Sequence, residues 1–138
     1  MPSGRFVAAS LLCIDEEAGR AELWQGGMPD ILLLDADGKP KDRFAARHVA
    51  LGIVDFDEEM ATLTQIEFRK GEQFVLFSDG LIEAADADGM QFGTERLLEV
   101  RANAPPEGRL AAVRASLYGH TGIGQPQDDI SLLLVGGR

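Results

Sequence analysis

The stretch FVLFSDGLIEAADADGMQFGTERLLEV, residues 74–100, changes its period part-way along, and that change decides the fold. Phe74 to Phe77 are apolar without a break, as in a strand covered on both faces. After Gly80 the spacing lengthens to about 3.6 residues. Phe92, Leu97, Leu98 and Val100 then suit one face of a helix starting near Thr94. The Thr94 hydroxyl can accept an amide hydrogen bond there, and Glu95 suits the positive end of the helix dipole. A buried strand that delivers into a helical segment implies a sheet with helices laid against it.

Working outward, the upstream chain is a run of short apolar or alternating segments separated by turn residues, the pattern of antiparallel strands. Arg5 to Ile14 leads through Asp15-Glu16-Glu17-Ala18-Gly19 into a returning strand, Arg20 to Gln25, which Gly26-Gly27 interrupts. Ile31 to Leu34 ends at Asp35-Ala36-Asp37-Gly38-Lys39-Pro40, where a second hairpin is expected. Met60 to Phe68 alternates, and Arg69-Lys70-Gly71-Glu72 turns the chain into the strand Gln73 to Ser78. Downstream, Pro105-Pro106 separates the first helix from a second over Glu107 to Tyr118, carrying Leu110, Val113 and Leu117 and stopped by Gly119. A Gly-containing loop, His120 to Gln127, precedes a final apolar strand, Ile130 to Val135. The expected fold class is α+β, an antiparallel β-sandwich with flanking helices, in a single domain spanning 1–138.

A chain of 138 residues, 45% hydrophobic and 26% charged, suits one domain that buries about two-thirds of its unfolded surface. Its 23 acidic against 13 basic residues give a net charge of −10, which repels nucleic acid and anionic membrane alike. No apolar run approaches the roughly 20 residues of a membrane span, and no signal-peptide pattern opens the chain. One cysteine, Cys13, excludes an internal disulfide. In its apolar run it reads as a buried side chain in a reducing compartment, the cytoplasm.

Two places can carry chemistry. Asp79 stands where the buried strand emerges, and Asp128 and Asp129 stand immediately before the last strand; if those strands are neighbours, the carboxylates converge. Convergent oxygen ligands suit hard ions such as Mg²⁺ or Mn²⁺. Spacing by itself favours a plain turn at Asp79-Gly80 and a strand cap at Asp128.

The stretch 74–100, taken with QDDISLLLV at 127–135, resembles the second half of bacterial PPM-type serine/threonine phosphatase domains of the SpoIIE and RsbU kind. That family has a strand ending in Tyr/Phe-Ser/Thr-Asp-Gly, a short Glu-containing segment, Phe-Gly, two helices, and Asp-Asp-Ile-Thr before its last strand. RFVAASLLCIDEEAGRAELWQGGMPDILLL, residues 5–34, is similar to the family's preceding strand pair. HVALGI, residues 48–53, resembles its Pro-Leu-Gly-Ile turn. The resemblance runs from Arg5 to Val135.

It implies Asp79 and Asp128 as ligands of Mn²⁺ or Mg²⁺, with Gly80 and Asp129 supporting them and Glu83 at the surface or behind the ligands. The implied reaction is attack of a metal-activated water on phosphoserine or phosphothreonine, without a covalent intermediate. The implied partner is a phosphorylated regulatory protein, typically a sigma-factor regulator, and the implied parent is a response regulator or stress-response phosphatase. The family's Gly-Gly-Asp and Gly-His-Gly elements, one of which supplies the metal-bridging carboxylate, are not in this sequence, and Pro2-Ser3-Gly4 reads as the boundary where the pattern is cut. Weak or no metal binding, negligible activity alone and a homodimer over the uncovered sheet surface are therefore expected. The alternative from another class is a degenerate phosphatase fold that grips a sigma factor or its regulator without catalysis. Gln25-Gly26-Gly27-Met28-Pro29 also departs from the family's Asn-Ala-Gly-His-Pro, putting a thioether where an imidazole is usual.

Other motifs are bland. ILLLDADGK, residues 31–39, echoes the Asp-x-Asp opening of haloacid-dehalogenase-type phosphotransferases, but Lys39 is wrong for them and no helix pattern follows, so a hairpin turn is expected. An EF-hand fails at Lys39-Pro40-Lys41. His48 and His120 read as loop or surface histidines, and Ser78 as a strand-end hydrogen-bonding group without a nucleophile elbow. Trp24 and Phe92 read as core or rim packing.

Overall fold

The computed structural model describes residues 7–51, 58, 62–102, 104–122 and 130–136. Seven strands are described: β1 (Ala9–Asp15), β2 (Arg20–Gly26), β3 (Ile31–Leu34), β4 (Pro40–Phe44), β5 (Thr64–Glu67), β6 (Gln73–Phe77) and β7 (Leu132–Gly136). Between β6 and β7 run the helices α1 (Asp79–Glu83), α2 (Gly93–Ala102) and α3 (Arg109–Thr121), the last preceded by a 3₁₀ turn, Pro106–Gly108. The described strands pair antiparallel throughout, in two sheets ordered β1-β2-β5 and β4-β3-β6-β7. The α+β expectation holds. Gly26-Gly27 marks where the chain leaves one sheet for the other, and Gly27, at φ +70, lies so close to Ala50 that an added Cβ would stand 2.8 Å from that residue's Cβ.

Alternation along β3 shows how the layers stack. Ile31 and Leu33 face the other sheet, in a core with Ala21, Leu23, Phe68 and Phe74. Leu32 and Leu34 face the helices, in a second core with Val75, Phe77, Leu81, Phe92, Leu97, Val113 and Leu117. Both faces of the four-stranded sheet are thus covered, which explains the unbroken apolar runs of β3 and β6. No helix among the described residues is long and apolar enough to cross a membrane.

Cys13 corrects the sequence reading, because it is exposed. Leu12 and Ile14 pack into the sandwich core, so the pleat turns Leu11 and Cys13 to the opposite face. Leu11 is 64% exposed there. An apolar run means burial only when both faces are covered, and β1 is covered on one. The second helix also differs: α3 passes through Gly119 to Thr121 and is capped at Gly122, φ +82, whose amide reaches the Tyr118 carbonyl. The expected strand over Met60 to Phe68 is seen as Thr64–Glu67; Met60 and Ala61 lie outside the described residues, as do Arg5, Phe6, Gly52 and Ile53.

Among the described residues each sheet has one guarded edge and one bare edge. β4 carries Pro40, Lys41, Asp42 and Arg43, and β5 carries Gln65 and Glu67, the devices that discourage further strand pairing. β1 has no charge between Ala9 and Ile14, and β7 has none at all.

Candidate functional site

The apolar strand β6 ends at Phe77, and the chain turns immediately into α1, with Asp79 as its first residue. Leu81, 1% exposed, pins this helix into the core. Gly80 is buried beneath it, and Asp79 itself is exposed. A carboxylate at the first turn of a helix also suits the local dipole. Glu83 closes α1 and is exposed.

β7 lies beside β6, with Phe77 opposite Leu132. The pairing continues one step further as a clamp at the site: the Ser78 amide donates to the Ser131 carbonyl at 3.0 Å, and the Ser131 amide donates to Ser78 Oγ at 2.9 Å. Ser78 is therefore the strand-end hydrogen-bonding residue expected of it. Asp128 and Asp129 lie outside the described residues; the strand they precede is fixed beside Asp79. Removing the hydroxyl with Ser78→Ala should cost about 1 kcal/mol in urea unfolding, and no loss would mean that the clamp does not hold the strand ends together.

Beside this clamp a trough of about 250 Å³ opens between the bare edges, lined by residues including Ala8, Ser10, Met28, Ser78, Ser131 and Leu133. Met28 thus sits in the wall next to the strand end that presents Asp79. Its part in this wall was not legible in the sequence, since a single thioether in a loop carries no pattern.

The loop between α1 and α2 is held by one carboxylate. Asp86 Oδ1 accepts from the amides of Asp88 and Met90, each at 2.9 Å. The Met90 amide is the main cause that lowers the Asp86 pKa; slight burial opposes it, while the Asp88 amide, His120 and Arg96 add to it. His120 also meets the Met90 carbonyl at 2.7 Å, bonds with Arg96 and touches the Phe92 ring edge-on. His120 is a clasp between α3 and this loop. Because the folded pKa of Asp86 is depressed, its stabilisation is present above the unfolded carboxylate value of about 3.9 and is lost as pH falls through the folded value. Asp86→Ala should therefore speed amide exchange at Met90 at neutral pH, with the difference shrinking below about pH 4; a pH-independent difference would place the hold elsewhere.

His48 is stacked on Trp24, ring centroids 5.5 Å apart, and faces the Thr62 carbonyl at 3.3 Å. Asp35 Oδ1 accepts the amides of Asp37 and Lys39 at 2.9 Å, closing the β3–β4 hairpin turn. That hairpin replaces the helix a dehalogenase-type site would need. Among the described residues no group of three or more His, Cys, Asp or Glu side chains converges as a metal site would require.

The profile of the family Stage II sporulation protein E (SpoIIE) matches residues 1–137. A search of curated proteins finds no match. Among solved structures, the SiaA-PP2C domain of Pseudomonas aeruginosa superposes with a TM-score of 0.78 at 22% identity, over 95% of this chain and 52% of that one. The PP2C phosphatase domain of SpoIIE from Bacillus subtilis, solved with a fragment of its regulatory domain, gives 0.74 at 16% identity, over 94% and 37%. Its phosphatase domain has also been solved presoaked with Mn. The RsbU and RsbW domains of Rv1364c from Mycobacterium tuberculosis give 0.70 at 20% identity, over 92% and 35%. The chain thus spans about half, or less, of the length of these structures, and at such identities the likeness is one of fold.

Proposed function

Since the chain belongs to the Stage II sporulation protein E family, we propose that it supplies the carboxyl-terminal half of a PPM-type, metal-dependent serine/threonine protein phosphatase site. The observation that carries this reading is the Ser78–Ser131 clamp, which fixes the residue before Asp79 against Ser131, three residues after Asp128. Asp79 and Asp128 are the ligands contributed here, with Gly80, buried in the first turn of α1, and Asp129 supporting them. Bound Mn²⁺ or Mg²⁺ supplies an activated water and neutralises phosphoryl charge. Asp79 alone does not fit such an ion, which wants a shell of six or so oxygens and gives up water reluctantly. Among the described residues no group of three or more such ligands gathers, and in this reading the further ligands are Asp128 and those of the family's amino-terminal elements.

The substrate is a phosphoserine or phosphothreonine on a regulatory protein, a sigma-factor regulator in the setting of the family, and the site of action is the cytoplasm. The absence of a full ligand set among the described residues equally favours a second reading, an adaptor that holds such a regulator without catalysis. Phosphate release from a phosphoserine peptide with Mn²⁺ separates the two. The 138-residue chain should show negligible turnover; turnover that disappears in Asp79→Ala would show that this chain holds a full ligand set and would overturn the proposed division of ligands.

The bare edges argue for a partner. β1 and β7 flank the trough, and Leu11 and Leu133 are 64% and 57% exposed. A second copy of the chain, pairing along one of these edges, would bury both backbone groups and leucines. The charge of −10 opposes approach, but screening over roughly 8 Å leaves short-range burial dominant. Equilibrium sedimentation at micromolar concentration should give a dimer, dissociated by Leu133→Asp. A strictly monomeric chain would remove the homodimer from this reading.

A further inference from the structure

Arg101 and Arg109 are the two largest fully buried side chains, at 0% and 1% exposure. They lie where α2 ends and α3 begins, over the start of β6. Arg109 is tied down: its Nη1 donates to Gln73 Oε1 at 3.0 Å and its Nε to the Ala104 carbonyl at 3.3 Å. Arg101 is not. Its Nε, Nη1 and Nη2 are all buried and none has a hydrogen-bond partner among the described residues. Burial first, and the charge of Arg109 second, push the Arg101 pKa down to about 10. A buried guanidinium without an acceptor is strongly unfavourable unless a counter-charge arrives.

No described acid bonds the Arg101 guanidinium. Glu72 is buried but bonds Lys41 and the Arg69 amide. Asp35 Oδ1 accepts the amides of the hairpin turn. Glu107 and Glu99 are exposed. Backbone lies close against Arg109 and the end of α2: at Gly38, φ +83, a Cβ would stand 2.5 Å from Arg109 Nη2 and 3.1 Å from the Arg101 carbonyl. Two guanidinium forks offer more donors, and more positive charge, than one carboxylate can take up, whereas a phosphate dianion matches both. Arg109 is anchored on Gln73, six residues before Asp79, so at about 3.3 Å per residue the pair lies about 20 Å from the proposed metal-binding edge.

We propose that Arg101 and Arg109 form a phosphate-binding site, taking a free phosphate ion or the phosphate of a monoester, at the end of the sheet remote from Asp79. The test is thermal unfolding of the full chain in chloride, inorganic phosphate or free phosphoserine at matched ionic strength, for the native sequence and for Arg101→Met. Phosphate at tenfold excess over its dissociation constant should raise Tm by about 5 °C in the native chain and by none in the variant. A response to inorganic phosphate alone assigns the free ion; a response to both assigns the monoester group. Equal shifts in native chain and variant would be a general salt effect and would overturn the site, as would no shift in either. If Arg101→Met does not fold, Arg101→Lys keeps a charge but loses the fork, and its phosphate shift should fall by half or more. An undiminished shift in Arg101→Lys would equally overturn the site.

Discussion

Phe74→Ala is expected to destabilise the domain by about 3 to 5 kcal/mol, the usual cost of emptying a fully buried aromatic site. Phe74 is 0% exposed and stacks on Phe68 with ring centroids 4.8 Å apart. It stands opposite Leu33 on one side and Val135 on the other, at the centre of the four-stranded sheet. The void would therefore be walled by three strands of one sheet and by the β5–β6 connection, none of which can collapse without breaking register. Set against a total stability of about 5 to 15 kcal/mol, the loss is a large fraction. Urea unfolding should show a lower midpoint at unchanged slope, with Phe74→Leu losing less than half as much. A change below about 1 kcal/mol would mean that the sandwich core is not the cooperative centre of this fold.

The second large effect is catalytic. In a polypeptide that joins this chain to the family's amino-terminal metal elements, Asp79→Asn should lower Mn²⁺-dependent phosphoserine hydrolysis by at least about 100-fold. Even residues that only orient metal ligands typically cost 10- to 100-fold. The fold should survive, because Asp79 is exposed and the buried anchor of α1 is Leu81. Loss of activity with an unchanged urea midpoint is the expected pair of results. A reduction of less than tenfold would take Asp79 out of the ligand set.

The sequence revealed most about segments whose two faces are both occupied. β6 and β3 read directly as buried strands because the helical layer and the second sheet each claim one side of them. Cys13 misled for the complementary reason: pleat alternation is invisible in a run where the outward residues are apolar as well. The extent of α3 was under-read, since Gly119 is only a weak breaker inside a helix that Leu117 and the His120 clasp hold in place. Of the candidate site, the placement of Asp79 at the end of a buried strand was legible from the apolar run before it, and the hydrogen bonding of Ser78 from its neighbour. The buried arginines left no trace, because Arg101 and Arg109 occupy positions at which a helix ordinarily shows a solvated charge, and only the packing of α2, α3 and the hairpin turn around Gly38 reverses that.

The pairing of β6 with β7 also sets an order of events during synthesis. Phe77 and its partner Leu132 are some 55 residues apart, with all three helices between them. A ribosome adding about 5 to 20 residues each second needs roughly 3 to 11 seconds to cover that distance. Throughout this interval β6 has β3 on one side and an open row of amides and carbonyls on the other, beside Val75 and Phe77. The nascent chain is then most exposed to mispairing, and a chaperone that delays its collapse would act while α1 to α3 emerge. Translation pausing within that stretch should lower the soluble yield more than pausing anywhere before β6.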